Sequence, residues 1–268
     1  MKKVDLVIGG HGEVGQAIMK CYVNTKQRVL AYDLTSDKGI LIGNEGHIRC
    51  MHICIPCKDK IKFIKTVLNY MEMVYPDMVI IHSTIPMGTT REIYTAWKES
   101  PFPTTGFIIA HSPIIGKHPD LFDSIKHKFT KPISCIPFSN RAVGKILEVI
   151  YNLFDNYTFT RKPENTEVAK IFSTTEYGWH ISIVTEIERY CKENNLDFDF
   201  VYTEWRNNYN SGYKSMELDK FIRPVLTPCS KGRILGHCIV ENLQNLLRKY
   251  MPKTWLTDIK PKRLIKIK

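Results

Sequence analysis

The chain has 268 residues, 43% of them hydrophobic and 24% charged, enough for one large core or two small ones, and no run nears the roughly 18 apolar residues of a membrane span. Residues 1–8 are far too short for the apolar region of a signal peptide, and eight cysteines in a chain of this size imply reduced thiols in a cytoplasmic compartment, not a disulfide framework. The net charge of +11 is scattered, concentrated only at 58–65, 126–131 and 260–268 and without interleaved aromatics, which argues against nucleic acid as a partner and leaves small anionic ligands.

Residues 3–8 form a short apolar run ending in glycine, and Val14, Ala17, Ile18 and Cys21 follow at the spacing of a helical face. Strand, glycine turn and helix is the reading. A second strand spans 28–32 and ends at Asp33; a third spans 51–55 and ends at Pro56. Ile61, Ile64, Leu68, Met71 and Val74 mark a helix before a strand at 78–82. A helix at 89–98, strands at 106–110 and 132–136, and a helix at 141–154 continue the alternation, which implies parallel strands with right-handed crossovers. Residues 165–194 then predict one long helix, of a length that packs against a second domain or another subunit. From 198 to 250 the pattern reads as helices interrupted at 208–213 and by the Pro and Gly punctuation of 224–236. The expected fold is therefore a Rossmann-type doubly wound α/β sheet over 1–160, a helical substrate and dimerisation domain over 161–252, and a basic tail over 253–268.

Gly10-His11-Gly12-Glu13-Val14-Gly15 fits the pattern G-x-G-x-x-G between a strand and a helix. Its glycines allow a tight turn, close approach of backbone to a pyrophosphate and close helix packing, with the helix N-terminus facing the anion. Asp33, 21 residues after Gly12, ends the second strand, where a carboxylate accepts from a ribose 2'-hydroxyl and repels a 2'-phosphate. That reading favours NAD; Lys26 and Lys38 keep NADP open. Cys50, His52, Cys54 and Cys57 look like metal ligands, but Cys50, His52 and Cys54 alternate along a strand and no second ligand pair accompanies them, so no metal is expected. "YNSGYK" at 209–214 reads as a substrate-facing loop.

With "CIP" at 54–56, "HSTIPMGTT" at 82–90, "HSP" at 111–113, "EVAKIFSTTEYGWHISIVTEIERYC" at 167–191 and "GHCIV" at 236–240, the glycine turn completes a set of motifs in one order along the chain. In that order the sequence resembles the UDP-glucose/GDP-mannose dehydrogenase family, within the wider 6-phosphogluconate dehydrogenase-like group. The resemblance implies NAD held by Gly10–Gly15, Asp33, Ile55, Pro56, Ser83 and Thr84, a homodimer through the 165–194 helix, Lys170 as acid and base, and Cys238 as nucleophile toward an aldehyde intermediate. A thiolate is the reactive form of cysteine, and a nearby ammonium both favours it and stabilises developing oxyanion charge.

Three positions depart from the family pattern. Ile114 stands where the family has Glu after "SP", Thr174 where it has Asn, and Asn242 where it has Asp. Threonine and asparagine still offer hydrogen bonds, so Thr174 and Asn242 remain candidate site residues. Family members continue into a third domain that helps bind the nucleotide sugar, so the expectation here is a smaller sugar or hydroxy-acid substrate, or a partner chain completing the seat. The competing expectation is a non-catalytic NAD- or nucleotide-binding protein on the same fold. A two-electron hydroxyacid dehydrogenase that makes no use of Cys238 is the other.

Overall fold

The computed structural model describes residues 3–33, 46–101, 105–116 and 121–229. The readings on Lys38, Cys238, Asn242 and the basic tail lie outside the described residues.

A seven-stranded sheet has the order β2-β1-β3-β4-β5-β6-β7, with β1 Lys3–Ile8, β2 Arg28–Tyr32, β3 His47–Ile53, β4 Met78–Ile81, β5 Ile108–His111, β6 Lys131–Ile136 and β7 Tyr157–Thr160. The first five run parallel. Parallel strands covered on both faces carry apolar residues in both alternation phases. Val7, Cys50, Ile80 and Ala110 accordingly pack with α1 (Glu13–Cys21) and α5 (Asn140–Ile150), in a cluster containing Ile18, Ile146 and Phe154. Leu6, Ile8, Met51, Ile53 and Ile81 face the other layer, α2 (Lys60–Val74) and α3 (Thr89–Lys98), with Phe63, Val67 and the fully buried Trp97. Asp59 caps α2 by accepting from Lys62 N at 3.0 Å, and Ser139 caps α5 by accepting from Ala142 N at 3.2 Å.

Several expectations are corrected. The third strand begins at His47 and ends at Ile53, because Ile48 and Cys50 are as buried as Met51. The strand β7, pairing Lys131 with Tyr157 through Ser134 with Thr160, was not expected at all; it is short and only half-buried. All-parallel pairing fails at β6, which runs antiparallel to β5 with His111 opposite Ser134 and Ile109 opposite Ile136. Between β5 and β6 lie α4 (Leu121–Asp123) and π-helical turns at Ser124–Lys128. The antiparallel register means that β6 starts at the end of the sheet where β5 finishes.

The described residues divide into two compact units, with the boundary along the chain between Ile171 and Phe172. That boundary falls inside α6 (Pro163–Glu193), which opens on Pro163, a residue suited to the first helical turn. The helix stops at Asn195, whose φ of +55° lets Leu196 N reach back to Cys191 O at 2.8 Å. In the second unit, "YNSGYK" is not a loop: it lies within α7 (Trp205–Ser215). Tyr209 and Tyr213, one turn apart, sit 4.7 Å between ring centroids, Arg223 lies 4.3 Å over the Tyr209 ring, and Asn210 holds both N and O of Arg223. These contacts outweigh the weak helix propensity of Asn and Gly. No helix among the described residues is long and apolar enough to cross a membrane.

Polar side chains thread the core beside α1. Cys50 and His52 share one face of β3, as their alternation predicts, with Met51 and Ile53 on the other. Tyr22 Oη lies 3.1 Å from Asp5 and 2.7 Å from His52 Nε2; His52 Nδ1 lies 2.9 Å from His82 Nε2, and the two rings stack at 5.2 Å. His82 Nδ1 meets Ser112 O at 2.9 Å. A carbonyl only accepts, so His82 carries its proton on Nδ1, which makes His52 the donor to His82 and Tyr22 the donor to His52. Tyr22 has one hydrogen, which Asp5 and His52 then share; Arg49 supplies the remaining donors to Asp5 through Nε, at 3.0 Å, and Nη2.

Burial pushes His52 down to about 4, His111 down to about 3, and His82 well below the ordinary imidazole range, with the charge of Lys131 adding to the effect. The unfolded chain binds protons at these sites below about pH 6.5 while the folded chain refuses them, so stability is lost as pH falls from there toward 4. Urea midpoints measured across that window are expected to drop. His82→Asn should remove one imidazole's share of the slope, up to about 1.4 kcal/mol per pH unit.

Candidate cofactor and catalytic site

The C-terminal ends of β1 to β5 lie along one edge of the sheet, and the first unit holds every described candidate except Thr174. Backbone hydrogen bonds continue the ladder past the strands, from Gly9 N to Tyr32 O at 2.8 Å, Cys54 N to Ile8 O at 2.9 Å, His82 N to Ile53 O at 2.9 Å and Ser112 N to Ile81 O at 2.8 Å. Loop positions 9, 54, 82 and 112 are thereby fixed to the sheet.

The glycine turn divides its labour somewhat differently from the sequence reading. The residue at positive φ is Gly9, at +81°, one position ahead of the motif. A Cβ on Gly15 would stand 2.0 Å from Gly9 O, and one on Gly10 would stand 2.5 Å from Ala31 Cβ, so these two glycines close the helix and β2 against the turn. At Gly12 an added Cβ would meet only Gly9 O, at 3.3 Å. That position, the N-cap of α1, brings no side-chain hydrogen bond of its own. The open, exposed face at His11, Gly12 and Glu13 is the cradle that a pyrophosphate requires at a helix N-terminus. Val14 is half-buried and packs against the apolar cluster, which anchors α1.

Asp33 directly follows β2 and is largely buried. Its Oδ2 accepts from His11 N at 2.7 Å and lies 3.0 Å from His11 Nδ1. Ile55 is half-buried against the α2 layer and Pro56 is exposed. Ser83 Oγ donates to Ile55 O at 2.6 Å, so its hydroxyl ties the 55–56 loop to the end of β4; Thr84 beside it is half-buried. The sequence-derived residues of the dinucleotide reading thus gather along one sheet edge, and an open glycine cradle with an acidic acceptor at the end of β2 fits a dinucleotide.

Glu167 and Lys131 complete this edge, and neither was singled out from the sequence. Glu167, fully buried, accepts from Gly88 N at 2.6 Å, Thr90 N at 2.9 Å and Thr90 Oγ1 at 2.6 Å. Its carboxylate therefore caps α3 from α6; burial raises its pKa while those donors oppose the rise. Arg91 and Glu164 add a two-point pair between the same helices, at 2.7 and 3.2 Å. Lys170, half-buried, follows Glu167 by three residues, so the cap fixes where its side chain starts. Thr174 is half-buried one turn further along α6, in the part of the helix assigned to the second unit. Cys238 and Asn242 lie outside the described residues.

Lys131 opens β6 and is 2% exposed. Its Nζ donates to Ser112 O at 2.9 Å and Pro113 O at 2.8 Å, under the "HSP" segment. The antiparallel course of β6 is what places it there. Burial first, with the charge of Lys170 adding to it, pushes Lys131 down to about 7, while Cys54 and Cys21 oppose the shift. Ser112 Oγ is buried and finds no partner among the described residues. Ile114, at the position of the family's carboxylate, is 7% exposed and belongs to the apolar cluster with Leu121 and Ile125. Among the described residues no group of three or more His, Cys, Asp or Glu side chains is arranged to hold a metal ion.

No protein-family model and no curated protein matches the sequence. Solved structures match the fold. A UDP-D-ManNAc dehydrogenase from Pyrococcus horikoshii superposes with a TM-score of 0.67 at 16% identity, covering 96% of this chain and 66% of that one. A UDP-glucose dehydrogenase from Pyrobaculum islandicum gives 0.62 at 15% identity, over 92% of this chain and 63% of that one. The 3-hydroxyisobutyrate dehydrogenase of Mycobacterium tuberculosis gives 0.52 at 12% identity, over 74% and 67%. The fold is that of these dehydrogenases, and the chain spans about two thirds of their length.

Lys131 yields a signed prediction. Its depressed pKa means that between about 7 and 10.5 the unfolded chain holds a proton that the folded chain has released, so this group makes stability rise with pH across that window. Lys131→Met should remove that rise, up to about 1.4 kcal/mol per pH unit in urea titrations, and should take the Lys131 donor from the Pro113 carbonyl while leaving the Ser112 carbonyl with His82.

Proposed function

We propose that the chain is an NAD-dependent oxidoreductase that oxidises an alcohol carbon of a sugar nucleotide, or of a smaller sugar or hydroxy acid. The observation that carries the reading is the glycine turn: Gly10 closed against Ala31, Gly15 closed against the Gly9 backbone, Gly12 open, and Asp33 at the end of the next strand. When bound, the nicotinamide supplies the hydride acceptor. The rest of the work falls to the chain. Gly12 and the N-terminus of α1 receive the pyrophosphate, Asp33 accepts from a ribose hydroxyl, and the Ile55–Pro56 and Ser83–Thr84 loops, tied together by the Ser83 hydroxyl, wall the far end.

Lys170 takes the proton of the substrate hydroxyl as the carbon is oxidised. Its charge is one of the causes that lower the buried Lys131, so the two lysines are electrostatically linked. Where oxidation proceeds to the acid, the Cys238 thiolate would add to the aldehyde carbon and the aldehyde oxygen would take up a proton; a second NAD would supply the acceptor for the next hydride, and water would then release the acid and return the thiol. Thr174 and Asn242 serve there as hydrogen-bonding groups. The exposed Tyr177, Ile183 and Tyr190 on α6 support a homodimer built on that helix. Similarity in fold to the UDP-glucose and UDP-D-ManNAc dehydrogenases supports a nucleotide-sugar substrate.

A second reading, a non-catalytic dinucleotide-binding protein, is favoured by one observation: Ile114 is core, so the 111–114 segment brings no carboxylate to the site. A panel of nucleotide sugars, sugar acids and hydroxy acids, followed by NADH absorbance, separates the two. The first reading expects turnover with at least one class, lowered about a hundredfold or more in Lys170→Met with NAD still bound. Unchanged turnover in that variant would reject the lysine's role, and NAD binding without turnover across the panel would favour the second reading.

A further inference from the structure

The residue between the first two motif glycines makes a contact that the dinucleotide fold does not require. His11 is held at three points: its N–H donates to Asp33 Oδ2 at 2.7 Å, its ring Nδ1 lies 3.0 Å from the same oxygen, and its carbonyl accepts from Gln16 Nε2 at 2.7 Å. A carboxylate oxygen only accepts, so Nδ1 carries the ring proton and Nε2 is the nitrogen left to gain one. Asp33 Oδ1 has no hydrogen bond among the described residues, which leaves a single carboxylate oxygen for a ribose. The His11 ring is half exposed, at 51%, against 19% for the Asp33 side chain, so the imidazole is the more solvent-accessible member of the pair.

We infer that His11 is a specificity-determining residue: paired with Asp33, it sets how strongly the end of β2 rejects a 2'-phosphate. This rests on the dinucleotide reading above. With a neutral imidazole the pair carries one net negative charge and repels the phosphate, so NAD is preferred. With a protonated imidazole the pair is neutral overall and presents a second N–H at Nε2, a donor of the kind that receives a phosphate oxygen. Discrimination against NADP therefore weakens as pH falls, whereas a lone aspartate would keep rejecting the phosphate. Among the described residues the other ionisable groups around the pair are Tyr70 of α2, in edge contact with Tyr32 of β2, and Cys54 after β3; burial and the charge of Asp33 both raise Tyr70 and Cys54, so neither supplies a titration near neutrality. Glu13, two residues on, is exposed at the head of α1.

The test is the ratio of the NADP and NAD dissociation constants, measured by calorimetry at about pH 8 and about pH 6 on the full chain. Removing one net charge beside the phosphate is expected to lower the ratio on the order of tenfold in the wild type. In His11→Ala, and in His11→Asn, which keeps a donor for Asp33 but cannot titrate in this range, the ratio should change by less than about twofold. An equal fall in both variants would assign the effect to the phosphate's own second ionisation, near 6, and overturn the inference. So would a wild-type ratio that does not move. Absence of binding by either dinucleotide to the wild type would overturn the dinucleotide reading, and this inference with it.

Discussion

The carbonyl oxygen of Ser112 sits where the apolar core meets the working edge of the sheet, and it accepts from two side chains at once, His82 at 2.9 Å and Lys131 at 2.9 Å. A loop carbonyl in such a place must be satisfied within the protein, because leaving it bare costs about as much as a lost hydrogen bond. Meeting that demand organises much of the first unit. His82 is aligned by His52, His52 by Tyr22, and Tyr22 by the Asp5–Arg49 pair, so a line of polar contacts runs from the first strand to the 111–114 segment. On the other side, Lys131 reaches the segment only because β6 re-enters the sheet antiparallel at the edge where β5 left it.

The same edge receives the other groups that chemistry would use. His111 bonds Thr166 Oγ1 at 2.7 Å and Ser83 O at 3.2 Å, linking the first turn of α6 to the loop after β4. Glu167 caps α3 from the same turn. Lys170 therefore leaves a stretch of helix that is bonded to the sheet edge at two points. Lys131 sits where its charge is expensive and where the charge of Lys170 makes it more so. One buried lysine thus ties the backbone of the "HSP" segment to the electrostatics of the candidate base.

Much of this was legible in the sequence. The strands of the parallel half are short apolar runs ended by Gly, Asp or Pro, and Gly10 to Gly15 with Asp33 announce their own geometry because each requirement there is local. What stayed hidden depends on contacts distant in sequence. Lys131 reads as one lysine of a basic run, and nothing within a few residues says that β6 reverses direction. Tyr157 to Thr160 is too short and too exposed to register as a strand. Asn208 to Tyr213 reads as a break, yet the Tyr209–Tyr213 contact and the Asn210–Arg223 bonds hold it helical. His11 is an unconstrained position in the motif, and only the fold shows that it shares an oxygen of Asp33 with its own backbone.

The central claim is that the sheet edge formed by the glycine turn, Asp33 and the loop after β4 receives a dinucleotide. Hydrogen–deuterium exchange with and without saturating NAD tests it most directly. The account predicts slowed exchange at the amides of residues 9–15 and 82–84, with α7 in the second unit unchanged. Exchange that is unaltered at the glycine turn, or slowed only in α7, would contradict it.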